Sequence, residues 1–234
     1  MEFWLEWARG PAFRFALLVM LLGLLRLVIL NIIGIVTLMR RAQDKKIPTK
    51  VVVRDTLRWL FPFNRVPAHK IFFAAVSFVF HVCIILVPIL LGAHILLWER
   101  GLGIVWPAIP QTWADSMTLI VIAAAVILFA RRVSTHLTRS LSRVQDYLLL
   151  LIIAVPFISG YLAMHPTVNP FEYNSTMFVH VMSGNLIFIL IPFTKLSHAI
   201  LFPGTQLVSD VGWHLAADSG TRVALALGKE GEPV

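Results

Sequence analysis

Five uninterrupted apolar runs decide the fold class before any single residue is considered. They extend over about 11–39, 71–98, 116–130, 147–163 and 177–203. Crossing a bilayer takes about 20 predominantly apolar helical residues. Hydrocarbon offers no partner to an open backbone, so a spanning segment must satisfy its own N–H and C=O groups, as a helix does. The first, second and fifth runs exceed that length, which predicts tilt or extension beyond the lipid, while the third and fourth are near the short limit. The runs are continuous rather than alternating, which excludes a membrane β-barrel. The composition agrees: 58% of the 234 residues are hydrophobic and 14% charged, against about 25% charged in soluble domains. Residues 1–203 therefore read as an all-α bundle of five transmembrane helices, and 204–234 as a tail. The opening MEFWLEWARG is acidic and aromatic, without a basic n-region or a small-residue cleavage site, and is read as no cleaved signal peptide.

The cations give the orientation. Of 20 Lys and Arg, sixteen fall in the loop 40–70, the loop 131–146 and the segment from Lys195 onward, against three in the opposite loops. The positive-inside rule then predicts an outside N-terminus and a cytoplasmic C-terminus. The formal charge of +8 is accordingly a topology signal, and no nucleic-acid partner is expected. Within the first basic loop, KVVVRDTLRWLFPFNR mixes apolar and cationic residues and predicts a segment lying along the membrane surface. The cation that does not fit is Arg26, near the middle of the first run. A charge there costs at least about 2.5–3.5 kcal/mol on insertion scales, so a counter-charge is expected, from an acidic group of a bound cofactor or an acid on a partner helix, with a water-filled crevice between helices as the alternative.

Only one cysteine is present, Cys83. An intrachain disulfide, a C-x-x-C-H haem attachment and a cysteine-held iron–sulfur cluster are all excluded, and Cys83 reads as a small packing residue. Histidine carries the remaining chemistry. His136, His165 and His214 fall in polar segments and read as solvated loop residues. His69, in VPAHKIFF, lies at the inner mouth of the second run. The other four lie inside apolar runs: His81 and His94 in the second, His180 and His198 in the fifth.

Depth pairs them. His94 and His180 are level, four and three residues inside the outer ends of their runs. His81 is thirteen residues further in and His198 eighteen, or about 20 and 27 Å at 1.5 Å per residue. The competing register pairs His69 with His198 and His81 with His180. Eighteen residues are five helical turns, so on one continuous helix His180 and His198 share a face. Thirteen residues miss that phase for His81 and His94, and a kink at Pro88 and Gly92 is a permitted repair. Two facing imidazoles at each of two levels suit two b-type haems. Such a haem has no open coordination position and therefore serves electron transfer. Small residues beside the ligands, Gly92, Ala93, Ser183 and Gly184, leave room for the macrocycle. Zinc suits the pattern less well, because it wants four ligands converging on one point.

FVHVMSGNLIFILIPFTKLSHAILFP resembles the last helix of the gamma subunit of respiratory nitrate reductase. The shared features are the His-x17-His spacing, the Pro-Phe-Thr-Lys-Leu turn and the closing Phe-Pro. FVFHVCIILVPILLGAHILLW resembles that family's second helix, with longer spacing here. The five-helix plan is also similar to cytochrome b subunits of sulfate-reduction and heterodisulfide-reductase-like complexes. The resemblance covers about 11–203. It implies an outer haem on His94 and His180, an inner haem on His81 and His198, and exchange of electrons with menaquinone or another quinone. It also implies the bacterial or archaeal cytoplasmic membrane.

No flavin, nucleotide or cluster motif accompanies the histidines, so electrons must enter and leave through other molecules. A cytoplasmic iron–sulfur subunit docked on the basic loops and the apolar tail is the expected partner. A periplasmic multihaem cytochrome and further membrane subunits are additional candidates. Trp98, Glu99 and Trp106, near His94, read as the edge of a quinone site, with Glu99 placed to accept a proton. A proton-relay transporter and a haem-free anchor for a soluble complex are the alternatives from other classes.

Overall fold

The computed structural model describes all residues except 43–49, 51–52, 55–56, 59–66, 213–217 and 232–234. The described residues form helices and connections and contain no strand. Five helices are long and apolar enough to cross a membrane: Glu2–Arg41, Ile71–Leu90, Gln111–Ser134, Val144–Met164 and Tyr173–Phe193. The protein is therefore a multi-pass, all-helical membrane protein. The surface-lying segment expected within 40–70 falls largely outside the described residues, as does His214.

The ends of the spans differ from the apolar runs for physical reasons. The third and fourth lengthen, because polar residues at the membrane edge (Gln111, Thr112, Arg131, Arg132, Asp146) continue the helices beyond their apolar stretches. The first starts at Glu2 rather than at Pro11, and Pro11 is accommodated inside a π-helical turn, Ala8–Ala12. Proline cannot donate to the ladder and its ring crowds the carbonyl four residues back. A wider turn relieves both problems.

The chain divides into two units, Met1–Arg14 with Arg65–Ile187, and Phe15–Asn64 with Phe188–Val234. The first contains α1 (Glu2–Trp7), α3 (Ile71–Leu90), α4 (Gly92–Leu102), α5 (Gln111–Ser134), α6 (His136–Leu141) and α7 (Val144–Met164). It also contains most of α8 (Tyr173–Leu190). Its core is a cluster of Phe80, Cys83 and Val87 from α3, Val121, Ala124 and Ala125 from α5, and Phe157 from α7. Spacings of three, four and seven residues put the α3 set on one stripe, and Ala124 and Ala125 follow Val121 by three and four residues on α5. Ala124 and Ala125 supply the small side chains that let membrane helices approach closely. Cys83 is a buried member of this cluster. Asn185, 4% exposed, donates its amide to the Ala8 carbonyl at 3.0 Å and ties α8 to the N-terminal segment.

The second unit contains most of α2 (Phe13–Arg41), the 3-10 turns Ile191–Phe193 and Lys195–Ser197, α9 (His198–Gly212) and α10 (Ser219–Ala226). Two glycines set its packing. A Cβ on Gly23 would fall 2.5 Å from Pro192, and one on Gly204 would collide with the Asn31 amide.

Candidate functional site

Two of the four membrane histidines stand after breaks in the helical chain, and the breaks aim them. The second run is not one kinked helix. It stops at Leu90, passes through Leu91 in an extended conformation (φ −71°, ψ 126°) and restarts at Gly92. Pro88 lies inside the last turn before the stop. Three successive carbonyls there take partners from outside the α3 ladder. Pro88 O accepts from His94 Nδ1 at 3.1 Å, Ile89 O from Trp106 Nε1 at 2.8 Å, and Leu90 O from the Ile109 amide at 3.0 Å. Gly103, at φ 69°, ends α4 in the left-handed conformation that glycine tolerates best, and the loop behind it brings those donors back. His94 is thus the third residue of a new helix, held by a carbonyl six residues behind it.

The fifth run breaks as well, which corrects the expectation of one continuous helix from 177 to 203. The span ends at Phe193, Thr194 is extended (φ −128°, ψ −177°), and α9 starts at His198. The turn Pro-Phe-Thr-Lys-Leu is the break itself. Thr194 Oγ1 donates to Leu190 O at 2.8 Å and accepts from the Leu196 amide at 3.3 Å, so both open ends are capped locally. The argument that five turns place His180 and His198 on one face therefore fails, because those turns are not continuous. α9 continues through Pro203 to Gly212, so the tail expected from 204 begins inside a helix.

His94 and His180 are brought together. Both are half-buried, and their ring centres lie 5.9 Å apart with planes 12° from parallel. That spacing suits an offset stack of the two rings. The distance alone is also compatible with one ion between two imidazoles: with a metal–nitrogen bond of about 2 Å on each side, ring centres fall about 6 Å apart. His180 Nδ1 donates to Pro156 O of α7 at 2.8 Å. Gly160, one turn further along α7, makes the approach possible. A Cβ there would stand 2.9 Å from the His180 ring.

All four candidate ligands place Nδ1 on a carbonyl. His81 donates to Ser77 O at 2.6 Å and His198 to Lys195 O at 2.5 Å. A carbonyl only accepts, so Nδ1 carries the proton, and in a neutral imidazole the lone pair is then on Nε2. This is the usual arrangement behind a metal-bound imidazole. His81 and His198 are exposed and belong to different units. Among the described residues no three His, Cys, Asp or Glu side chains converge on one point. A pair of opposed imidazoles is, however, what a haem requires. The position beside His180 has space on one side: a Cβ on Gly184 would meet nothing within 4 Å.

His165, read as a solvated loop residue, is instead built into the structure. It caps α7 and stacks on Tyr161 with ring centres 4.1 Å apart. Its Nδ1 donates to Tyr161 O at 2.8 Å, and Nε2 faces Asp115 Oδ2 at 3.5 Å. Only its position four residues after Tyr161 could have signalled the stacking, and nothing local signals Asp115. His136 is exposed. His69 lies in the 3-10 turn Ala68–Lys70.

Trp98 and Trp106 lie together, ring centres 6.3 Å apart, and Glu99 is exposed. Trp106 is committed to Ile89 O, so its position has a structural cause of its own. Arg26 is exposed on α2 and makes no ion pair among the described residues.

The fold and these residues define a multi-pass helical membrane protein with paired imidazoles. No family model and no solved structure matches the chain. A protein of Nitratidesulfovibrio vulgaris (strain Hildenborough), which carries no more specific name than "Protein", is 34% identical over 197 residues, covering 82% of this chain and 86% of that one. The chain belongs to the same family as that protein.

Proposed function

We propose that this protein is the di-haem cytochrome b subunit of a respiratory redox complex in a bacterial or archaeal cytoplasmic membrane. It passes electrons between a quinone, such as menaquinone, and a partner redox subunit. The observation that carries this reading is the His94–His180 pair. Its ring centres lie 5.9 Å apart, a distance compatible with one ion between them, and each Nδ1 is fixed on a carbonyl, which in the neutral imidazole leaves Nε2 a lone pair. His81 and His198 share that hydrogen-bonding pattern and are the candidates for the inner haem. When bound, the haems would supply one-electron chemistry. The chain's own residues hold and orient them: Pro88, Pro156, Ser77 and Lys195 fix four rings through their carbonyls, and Gly160 clears the space for one. The asymmetry of sixteen cations against three supports an outside N-terminus.

A partner is part of this reading. The window of the first span is only 6% buried, against 28% for the third and fourth, so most of it is open to lipid or to another membrane subunit. Arg26 lies on that span, and a counter-charge from a haem propionate or a partner acid would offset its burial in the membrane. A cytoplasmic iron–sulfur subunit on the basic loops is the proposed acceptor or donor. The test is direct. Purified protein should show the absorption of low-spin b haem, at about two haems per chain by pyridine haemochrome. A colourless, fully helical preparation would reject the haem reading and leave the proton-relay transporter and the haem-free anchor.

A further inference from the structure

At the basic end of α3 and α5, far along α3 from the break at Leu91, lies a groove that the proposed electron transfer does not use. It has a volume of about 380 Å³ and is lined by Phe72, Phe73, Ile127, Ala130, Arg131, Ser134 and Thr135. Its walls are apolar side chains of two membrane-spanning helices, and Phe72 is 61% exposed. Its head is polar. The guanidinium carbon of Arg131 sits 3.8 Å from the centre of the Phe73 ring, and the Ser134 hydroxyl is engaged with the Arg131 carbonyl at 3.4 Å.

We propose that this groove is a binding site for an anionic phospholipid, with an acyl chain along Phe72, Phe73, Ile127 and Ala130 and the phosphate on Arg131. Three observations support the occupant. An apolar groove open between two spans faces hydrocarbon, so its natural filling is a lipid chain, and its size lies in the lower range for ligand sites. Arg131 is half-buried, and no carboxylate pairs with it among the described residues. A ring face satisfies little of a guanidinium with five N–H donors in a fork, whereas a phosphate takes two of them side by side. Its neighbours at this end add positive charge and little negative. Arg132 and Arg139 donate to the carbonyls of Asp146 and Val133, and Lys70 is exposed at the start of α3. Asp146 accepts from the Arg143 amide at 2.9 Å, where it starts α7. Basic pockets between membrane helices favour anionic head groups over zwitterionic ones.

The site is independent of haem, so its test stands or falls apart from the redox reading. Delipidated protein in mild detergent is offered dioleoyl phosphatidylglycerol or dioleoyl phosphatidylcholine, and retained lipid is counted by native mass spectrometry. Wild-type protein should keep about one phosphatidylglycerol per chain, with at least about a fivefold preference, the ratio expected for one cation near an anionic surface. Arg131→Gln should abolish the preference, Arg131→Lys should retain most of it, and Ala130→Trp should reduce retention of both lipids by filling the groove. Helicity and monodispersity of each variant are checked by circular dichroism and gel filtration. The proposal is overturned if wild-type protein does not distinguish the two lipids. It is equally overturned if Arg131→Gln or Ala130→Trp binds like wild type, or if a co-purified quinone fills the groove and phosphatidylglycerol does not displace it.

Discussion

The breaks at Leu91 and Thr194 look alike in sequence and are held in different ways. Each follows a proline by two or three residues, and each is followed within four residues by a histidine, His94 or His198. At Leu91 two of the freed carbonyls are satisfied from far along the chain, by Trp106 and Ile109. At Thr194 the capping is local, from Thr194 itself to residues within four positions. The histidines inherit the difference. His198 leans on the carbonyl three residues back, while His94 and His180 are fixed by a bond across a break and by a bond between helices. A local break is specified by a short motif. A tertiary break depends on a loop returning to it, so the proposed site at His94 and His180 should be the more sensitive to distant change.

The largest effect that would test this contrast is loss of a ligand. His180→Ala should halve haem content, removing the outer haem and leaving the inner one. His198→Ala should do the reverse, since the two proposed sites share no ligand. Pyridine haemochrome and redox titration read the result, and unchanged haem in both variants would discard the assignment.

A smaller effect is expected at Gly160. Alanine there drives a methyl group into the His180 ring, and overpacking of this kind costs about 1–3 kcal/mol. Gly160→Ala should therefore lower occupancy or shift the potential of the outer haem alone, whereas Gly184→Ala, whose Cβ meets open space, should do neither. Equal behaviour of the two variants in redox titration would show that Gly160 does not set the ring.

The smallest effect separates the two breaks themselves. Trp106→Phe removes the donor to Ile89 O, and an unsatisfied carbonyl costs about 1–3 kcal/mol. Thr194→Val removes a donor of the same kind at the local break. Both should lower the melting temperature in detergent, but only Trp106→Phe should also broaden or shift the electron paramagnetic resonance signal of the outer haem. A matching change from Thr194→Val would erase the distinction.

Much of the fold was legible in sequence because hydrocarbon imposes a local rule. A span must be long and apolar and satisfy its own backbone, so hydropathy alone located five spans and misjudged mainly their ends. The packing role of Cys83 followed from its type and setting. Pro88 and Gly92 marked the region of the first break, and the Pro-Phe-Thr-Lys-Leu turn contained the second, although periodicity treated that helix as unbroken. Hydropathy is blind to a break when the residues on either side are equally apolar.

What only the tertiary structure decided is which groups meet. The levelling of His94 with His180 followed from counting along two runs. That their rings face each other 5.9 Å apart depends on Leu91 leaving the helix, on Pro156 offering a carbonyl from another span, and on Gly160 having no side chain. The bond from Asn185 to Ala8 and the pairing of His165 with Asp115 are of the same kind. The physical reason is common to all of them. Burial preference and helix propensity act on each segment by itself, whereas a hydrogen bond or a close approach between segments exists only once packing has set their register.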